Sequence, residues 1–315
     1  MSEQLLEKIE RLKEQRKAVI LAHNYQPCEI QDLADFCGDS LELSIKAAET
    51  DAEVIVFCGV RFMVETAAIL SPEKTILLPD KFAGCPLADM ITAEQLRQLK
   101  QQHPGAPVVC YVNSSAEVKA ESDYCCTSAN AVDVVKSLPT DKEIIFVPDQ
   151  HLGRFVEERT GRKLLLWPGY CHVHVVITEE DIKNAKAQYP DAIVMAHPEC
   201  TKPVKELSDA ILSTGQMLHY VKNSKAKQFI VATETGMIHP LKKQNPTVKF
   251  IAASEQAICP NMKKITLEKI LWSLEDMQGS RKAGSASRVA VPEQIRIKAR
   301  KALDRMVQIF PAGSQ

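Results

Sequence analysis

Ala18-Val19-Ile20-Leu21-Ala22 runs directly into His23-Asn24-Tyr25, and this join of a short apolar run to a polar cluster decides the reading of the whole chain. It comes back twice: Pro107-Val108-Val109-Cys110 leads into Tyr111-Val112-Asn113, and Ala192-Ile193-Val194-Met195-Ala196 into His197-Pro198-Glu199. Seventeen residues beyond His23, Tyr111 and His197 stands a hydroxyl each time, Ser40, Ser128 and Thr214. A second apolar run follows (Val54-Ile55-Val56-Phe57, Ile144-Ile145-Phe146-Val147, Phe229-Ile230-Val231), then a third (Thr75-Ile76-Leu77-Leu78, Lys163-Leu164-Leu165-Leu166, Lys249-Phe250-Ile251-Ala252). At 62, 60 and 62 residues stands a cysteine: Cys85, Cys171 and Cys259. At 69, 67 and 69 stands a threonine, Thr92, Thr178 or Thr266, with a glutamate two places later. A period of about 87 residues is longer than that of solenoid repeats and reads as three copies of one small domain.

Short, apolar, partly β-branched runs separated by charged segments of helical period are the alternation of buried parallel strands and crossover helices. The three threonines read as helix starts, because a threonine side chain caps free N–H groups and an acid suits the positive end of the helix dipole. The first two of these helices run into His103-Pro104 and Tyr189-Pro190, where proline stops them. The expected fold class is α/β: three pseudo-symmetric αβα domains, each with a short parallel sheet, around a central site. The predicted organisation is an N-terminal helix over 1–16, repeats over 17–102, 103–188 and 189–275, and a tail over 276–315. The tail opens on a flexible stretch (Gly279-Ser280, Gly284-Ser285-Ala286-Ser287) and ends in an amphipathic helix from Pro292 to Phe310 that packs back on the body.

A chain of 315 residues is long enough for two or three modest domains with their own cores. A net charge of −1 argues against nucleic acid as a partner, and acids and bases are mixed along the helices as on solvated faces. No apolar run approaches the ~20 residues of a membrane span, and the N-terminus reads as a charged amphipathic helix rather than a signal peptide. Ten cysteines without an export signal point to reduced thiols in the cytoplasm, where metal binding outranks disulfides.

Any single cysteine is most simply a buried core residue. The repeat discriminates among the ten. Cys37 and Cys125 share a phase, but the third copy has Ile211 there; Cys58 matches Phe146 and Ala232. Only Cys85, Cys171 and Cys259 are cysteine in all three copies. One thiolate from each of three units, meeting at a common axis, leaves a tetrahedral ion or cluster one ligand short, which is how a catalytic metal site differs from a structural one. Soft all-thiolate ligation points to zinc or an iron–sulfur cluster. Four cysteines are the rule for a cluster that only carries electrons, and three favour one with an open iron. Spacing alone does not separate that from a three-cysteine zinc enzyme.

His23, Tyr25, Tyr111, Asn113, His197 and Glu199 end the strands that open the repeats, so symmetry turns them toward the same axis. Each alone is an ordinary hydrogen-bonded residue near a strand end; six in phase form a candidate acid–base and binding set. Ser40, Ser128 and Thr214 are each expected to open a helix. Plain N-capping would account for them. The functional alternative is three helix N-termini aimed at the axis as sites for acidic groups.

At these residues the chain resembles the quinolinate synthase family. The resemblance rests on His23-Asn24-Tyr25-Gln26, Gly84-Cys85-Pro86-Leu87-Ala88-Asp89-Met90, Tyr111-Val112-Asn113-Ser114-Ser115-Ala116-Glu117-Val118-Lys119-Ala120, Pro148-Asp149-Gln150-His151-Leu152-Gly153, His197-Pro198-Glu199-Cys200 and Ala232-Thr233-Glu234-Thr235-Gly236. It implies a cytoplasmic transferase that makes quinolinate from iminoaspartate and dihydroxyacetone phosphate for NAD biosynthesis. It implies a [4Fe–4S] cluster held by Cys85, Cys171 and Cys259 at the centre of the three domains, its fourth iron open to substrate. It implies catalytic roles for Tyr25, Tyr111, Asn113, His197 and Glu199, and substrate contacts from His23, Ser40, Tyr111, Asn113, Ser128, His197, Glu199 and Thr214. L-Aspartate oxidase, as the source of iminoaspartate, is the implied transient partner. Some members carry Cys-x-x-Cys-x-x-Cys around the third ligand; this chain has only Cys259 there and matches the shorter form. Two other readings share these residues: an iron–sulfur dehydratase acting on one hydroxy acid, and an iron–sulfur sensor. A sensor should survive Glu199→Gln.

Overall fold

The apolar runs become strands in three separate sheets. The protein is described here from a computed structural model, over residues 2–277 and 287–309. The first unit contains β1 (Ala18–His23), β2 (Phe36–Gly38), β3 (Val54–Cys58) and β4 (Thr75–Leu78). The second contains β5 (Val108–Tyr111), β6 (Tyr124–Cys126), β7 (Ile144–Val147) and β8 (Leu164–Leu166). The third contains β9 (Ile193–Ala196), β10 (Ala210–Ile211), β11 (Gln228–Ala232) and β12 (Lys249–Ala252). Within each unit the second strand lies outside the first, followed by the third and fourth, and all these pairings are parallel. Every residue of β3, β5 and β7 is buried, as strands covered on both faces by helices require. The architecture is the expected one of three pseudo-symmetric units.

The sequence reading found three strands per unit where there are four. β2, β6 and β10 are only two or three residues long, too short for a hydrophobic period. Their signal was an aspartate twelve residues past each strand-end residue. Asp35, Asp123 and Asp209 each accept a hydrogen bond at 2.8 Å from the first strand of their unit, at Ile20 N, Val108 N and Val194 N.

Thr92, Thr178 and Thr266 do cap helices (Ala93–Gln102, Glu179–Gln188, Leu267–Glu275), each accepting from the backbone N–H three residues on. The first two helices end at His103 and Tyr189, as the prolines dictate. Each of the three packs on the next unit round. Ala93–Gln102 lies on the helix Ala116–Ala120, Glu179–Gln188 on β11, and Leu267–Glu275 on β3 and on the N-terminal helix Ser2–Gln15. The units therefore close into a ring.

The tail breaks the symmetry. β13 (Ser287–Arg288) adds an antiparallel edge strand to β4, which the sequence did not suggest. The helix Glu293–Ile309 buries Ala299, Ala302, Leu303 and Met306 against the helices Arg61–Leu70 and Ala116–Ala120 and against β6, as its amphipathic pattern required. The glycine- and serine-rich stretch 279–286 and Phe310 lie outside the described residues. Among the described residues no helix is long and apolar enough to cross a membrane.

Candidate functional site

The strand ends of the three units converge on one cavity of about 760 Å³, its open mouth included. All twelve residues singled out by the repeat line it: His23, Tyr25, Ser40, Cys85, Tyr111, Asn113, Ser128, Cys171, His197, Glu199, Thr214 and Cys259.

The three cysteines lie in the loops that follow β4, β8 and β12, and no disulfide uses them. Their surroundings repeat closely. The backbone N–H groups two and three residues on act to lower each thiol: Leu87 and Ala88, Val173 and His174, Asn261 and Met262. Burial pushes all three thiols up, Cys85 to about 12, and the sulfurs face one another closely enough for Cys259 to raise Cys85 and Cys85 to raise Cys171. Three convergent sulfurs, each with backbone N–H groups acting on it, are a donor set that fits a thiolate-bound cluster with one vertex free. Two of the loops are also fastened by fully buried carboxylates: Asp149 Oδ2 accepts from Cys171 N at 3.2 Å, and Glu234 Oε1 from Cys259 N at 3.0 Å.

Beside the Cys171 sulfur is a compact acid–base cluster. Glu199 Oε2 lies 3.1 Å from His174 Nδ1 and 3.2 Å from His197 Nδ1, and the two imidazoles stack with centroids 4.6 Å apart. Burial pushes the Glu199 carboxyl up, but the two imidazoles outweigh it and hold the group below the usual carboxylate range. Glu199 Oε1 is buried without a partner, as is Asn113 Oδ1. Tyr25 Oη sits 2.6 Å from Thr233 Oγ1, which lies 2.9 Å from His174 Nε2. Hydrogen bonds thus link Tyr25 through Thr233 to His174 Nε2, while His174 Nδ1, without a hydrogen bond of its own, lies 3.1 Å from Glu199 Oε2. Burial raises Tyr25 and Tyr111 well above the ordinary phenol value, so both are neutral hydroxyls. Burial, then His197 and Lys263, lowers His23 to about 3, so it is a neutral imidazole; its Nδ1 accepts from Tyr25 N at 3.1 Å.

The hydroxyls differ from expectation in detail. Ser40 and Thr214 are first residues of the helices Ser40–Glu49 and Thr214–Asn223, but the caps are their neighbours Asp39 and Ser213. Ser128 opens no helix: it sits in the turn before Ala131–Lys136, whose cap position is Asn130. The residue before the hydroxyl does the capping in two copies, which leaves the Ser40 and Thr214 hydroxyls free of that duty. Thr214 Oγ1 accepts from Asn24 Nδ2 at 3.1 Å across the first and third units. Asp39 also accepts from Gly215 N, so one helix N-terminus already faces a carboxylate; burial and Asp39 together push nearby Glu42 up to about 7.

Sequence reasoning missed His174, Thr233, Glu234 and Asp149. His174 stands three residues after Cys171, where the other copies have Ala88 and Met262, so a criterion of identity in all three copies passed over it. A Cys-x-x-His spacing was the available signal. Cys171, His174 and Glu199 now stand with ligating atoms within 4.8 Å of one another.

With this geometry in view, comparison with known proteins is direct. The family described as quinolinate synthetase A protein matches residues 7–308. A protein of Dehalococcoides mccartyi (strain CBDB1) named quinolinate synthase is 60% identical over 302 residues, covering 96% of this chain and 97% of its own. Quinolinate synthase 1 of Methanosarcina acetivorans is 52% identical over 305 residues, 97% of each chain. Quinolinate synthase of Geobacter metallireducens is 52% identical over 303 residues, 96% of this chain and 97% of its own.

Proposed function

The chain belongs to the quinolinate synthase family, and from that premise we propose that it condenses iminoaspartate with dihydroxyacetone phosphate, releasing phosphate and water, to supply quinolinate for NAD biosynthesis in the cytoplasm. The observation that carries this reading is the meeting of twelve residues from three units on one cavity, with the Cys171 sulfur within 4.8 Å of the ligating atoms of His174 and Glu199. Cys85, Cys171 and Cys259 hold a [4Fe–4S] cluster. When bound, it supplies a Lewis-acidic iron with an open position for substrate oxygen or nitrogen.

The protein's own groups do the rest. Forming a carbon–carbon bond to a carbonyl requires an enamine or enol carbon, so a base must take a proton beside a carbonyl or imine. Glu199 Oε1, ionised and unpartnered, is that base, with His197 and His174 holding its carboxylate in place. Tyr25, neutral and linked through Thr233 to His174, returns a proton to the departing oxygen. Ser40, Ser128 and Thr214 bind the carboxylates and phosphate through their hydroxyls, which the caps Asp39 and Ser213 leave free at two of the three positions. Tyr111 and Asn113 hydrogen-bond the condensing carbonyls, and His23, held neutral, donates without adding charge. Iminoaspartate is short-lived in water, so a transient contact with L-aspartate oxidase completes the proposal.

The test is quinolinate formation by anaerobically purified protein given both substrates, with iron and sulfide assayed in the same sample. Product that requires both substrates, from protein with about four irons and four sulfides, is the expected result. No product from fully loaded protein would reject the synthase and favour a single-substrate dehydratase.

A further inference from the structure

Eight residues past His23, Tyr111 and His197 stand Gln31, Lys119 and Lys205. All three are buried, at 5%, 0% and 4% exposure, and each lies on the short helix after its strand end, Cys28–Leu33, Ala116–Ala120 or Lys202–Glu206. An ammonium group has no place in such surroundings unless its donors are used. They are, and in the same way three times.

Each head group first reaches a carbonyl in its own strand-end loop, beside a cavity residue. Gln31 Nε2 donates to Asn24 O at 3.0 Å and Gln26 O at 2.8 Å, the carbonyls on either side of Tyr25. Lys119 Nζ donates to Ser114 O at 2.6 Å, next to Asn113, and Lys205 Nζ to Pro198 O at 3.2 Å, next to Glu199. Each also faces a carbonyl of another unit: Gln31, sharing one of its two N–H groups, faces Gly236 O at 3.1 Å, Lys119 faces Phe62 O at 3.5 Å, and Lys205 faces His151 O at 2.7 Å. Those acceptors also share one phase: Gly236, Phe62 and His151 stand 39, 39 and 40 residues past the strand ends of their own units. The links run from the first unit to the third, the second to the first and the third to the second.

We propose that Gln31, Lys119 and Lys205 are positioning residues. They form a three-part clasp that sets the peptides beside Tyr25, Asn113 and Glu199 against the neighbouring unit. One side chain of the three is an uncharged amide, so the shared property is N–H donation and not charge. The kinetic half of this inference rests on the synthase reading. The geometric half does not.

The experiment compares Lys205→Met, which keeps the apolar stem, with Lys205→Gln, which installs the donor type already used at position 31. Both are made as cluster-loaded protein, with iron content matched to wild type. Amide hydrogen exchange is followed over 197–200 and 151–153, beside kcat and KM. The expected result for Lys205→Met is faster exchange in both segments and kcat lower by about 10–100-fold with KM little changed, the range for misplacement of a reacting group by ~1 Å. Lys205→Gln should bring exchange and kcat back to within about threefold of wild type. Unchanged exchange in Lys205→Met overturns the clasp, even if wild-type protein makes no quinolinate. A Lys205→Met variant of lower melting temperature but normal kcat overturns the positioning role, and so does a Lys205→Gln variant that behaves like Lys205→Met. Should Lys205→Met not fold, Gln31→Met makes the same comparison at Tyr25 without removing a charge.

Discussion

Tyr25→Phe isolates one hydroxyl. The ring stays: it packs edge-on to His23 at 4.6 Å and tilted to His174 at 6.2 Å, and phenylalanine keeps both contacts. The Tyr25 carbonyl still accepts from Lys263 Nζ at 2.5 Å. What disappears is the 2.6 Å contact with Thr233 Oγ1 and the 3.5 Å contact with His174 Nε2; these two atoms keep each other at 2.9 Å, so no buried polar atom is orphaned. The stability loss should be that of one neutral hydrogen bond, about 1 kcal/mol, or about 2 °C of melting temperature in a chain of this size. If the hydroxyl delivers a proton in the reaction, turnover falls by about 10², equivalent to about 2.7 kcal/mol of barrier. The kinetic effect then exceeds the structural one severalfold. The assay is kcat per loaded cluster under anaerobic conditions, beside a thermal melt and an iron determination. Turnover within threefold of wild type, at equal iron content, would refute the proton-donor assignment.

Four further outcomes follow from the same geometry. Glu199→Gln should lower turnover by about 10² or more with the cluster retained, and near-normal turnover would take the base away from Glu199. His23 is held at about 3, so between pH 6.5 and 3 the unfolded chain binds a proton that the folded chain refuses, and stability falls as pH falls through that window by up to about 1.4 kcal/mol per unit. His23→Gln should flatten that slope in urea titrations at pH 7 and 5; parallel slopes for the two proteins would count against it. Leu303→Ala, at a fully buried position of the tail helix, should cost about 2–5 kcal/mol by denaturant titration, and a loss under about 1 kcal/mol would mean that the helix is not firmly docked. A Cβ on Gly169 would overlap the Pro148 carbonyl oxygen, so Gly169→Ala should push the Cys171 loop from Asp149 and reduce iron after reconstitution; full iron content would show that the loop adapts.

Much of this molecule was legible because it is written three times. Phase alone separated Cys85, Cys171 and Cys259 from seven other cysteines, and it gathered twelve of the residues that line the cavity without a contact map. What escaped is what the repeat does not share or what has no period. His174 and Thr233 stand at one point of the ring only: the phase of His174 holds Ala88 and Met262 in the other copies, and that of Thr233 holds Gly59 and Val147. β2, β6 and β10 are too short to alternate, and their three aspartates could be recognised only once the hydrogen bonds to the first strands were known. The capping duty at Asp39 and Ser213 lay one residue from where the hydroxyl phase pointed, because cap position depends on backbone dihedrals that composition does not encode.

The order in which the ring closes has a consequence for synthesis. A nascent chain emerges from its N-terminus, and independent domains finish in that order. Here the second and third units receive their crossing helices, Ala93–Gln102 and Glu179–Gln188, from chain made before their own strands. The first unit must wait: the helix that covers β3 and meets Ser2–Gln15 is Leu267–Glu275. The part of the molecule translated first is therefore completed last: Ser2–Gln15 can lie on β1 from the start, but until the final sixth or so of the chain leaves the ribosome, the helix over β3 is missing.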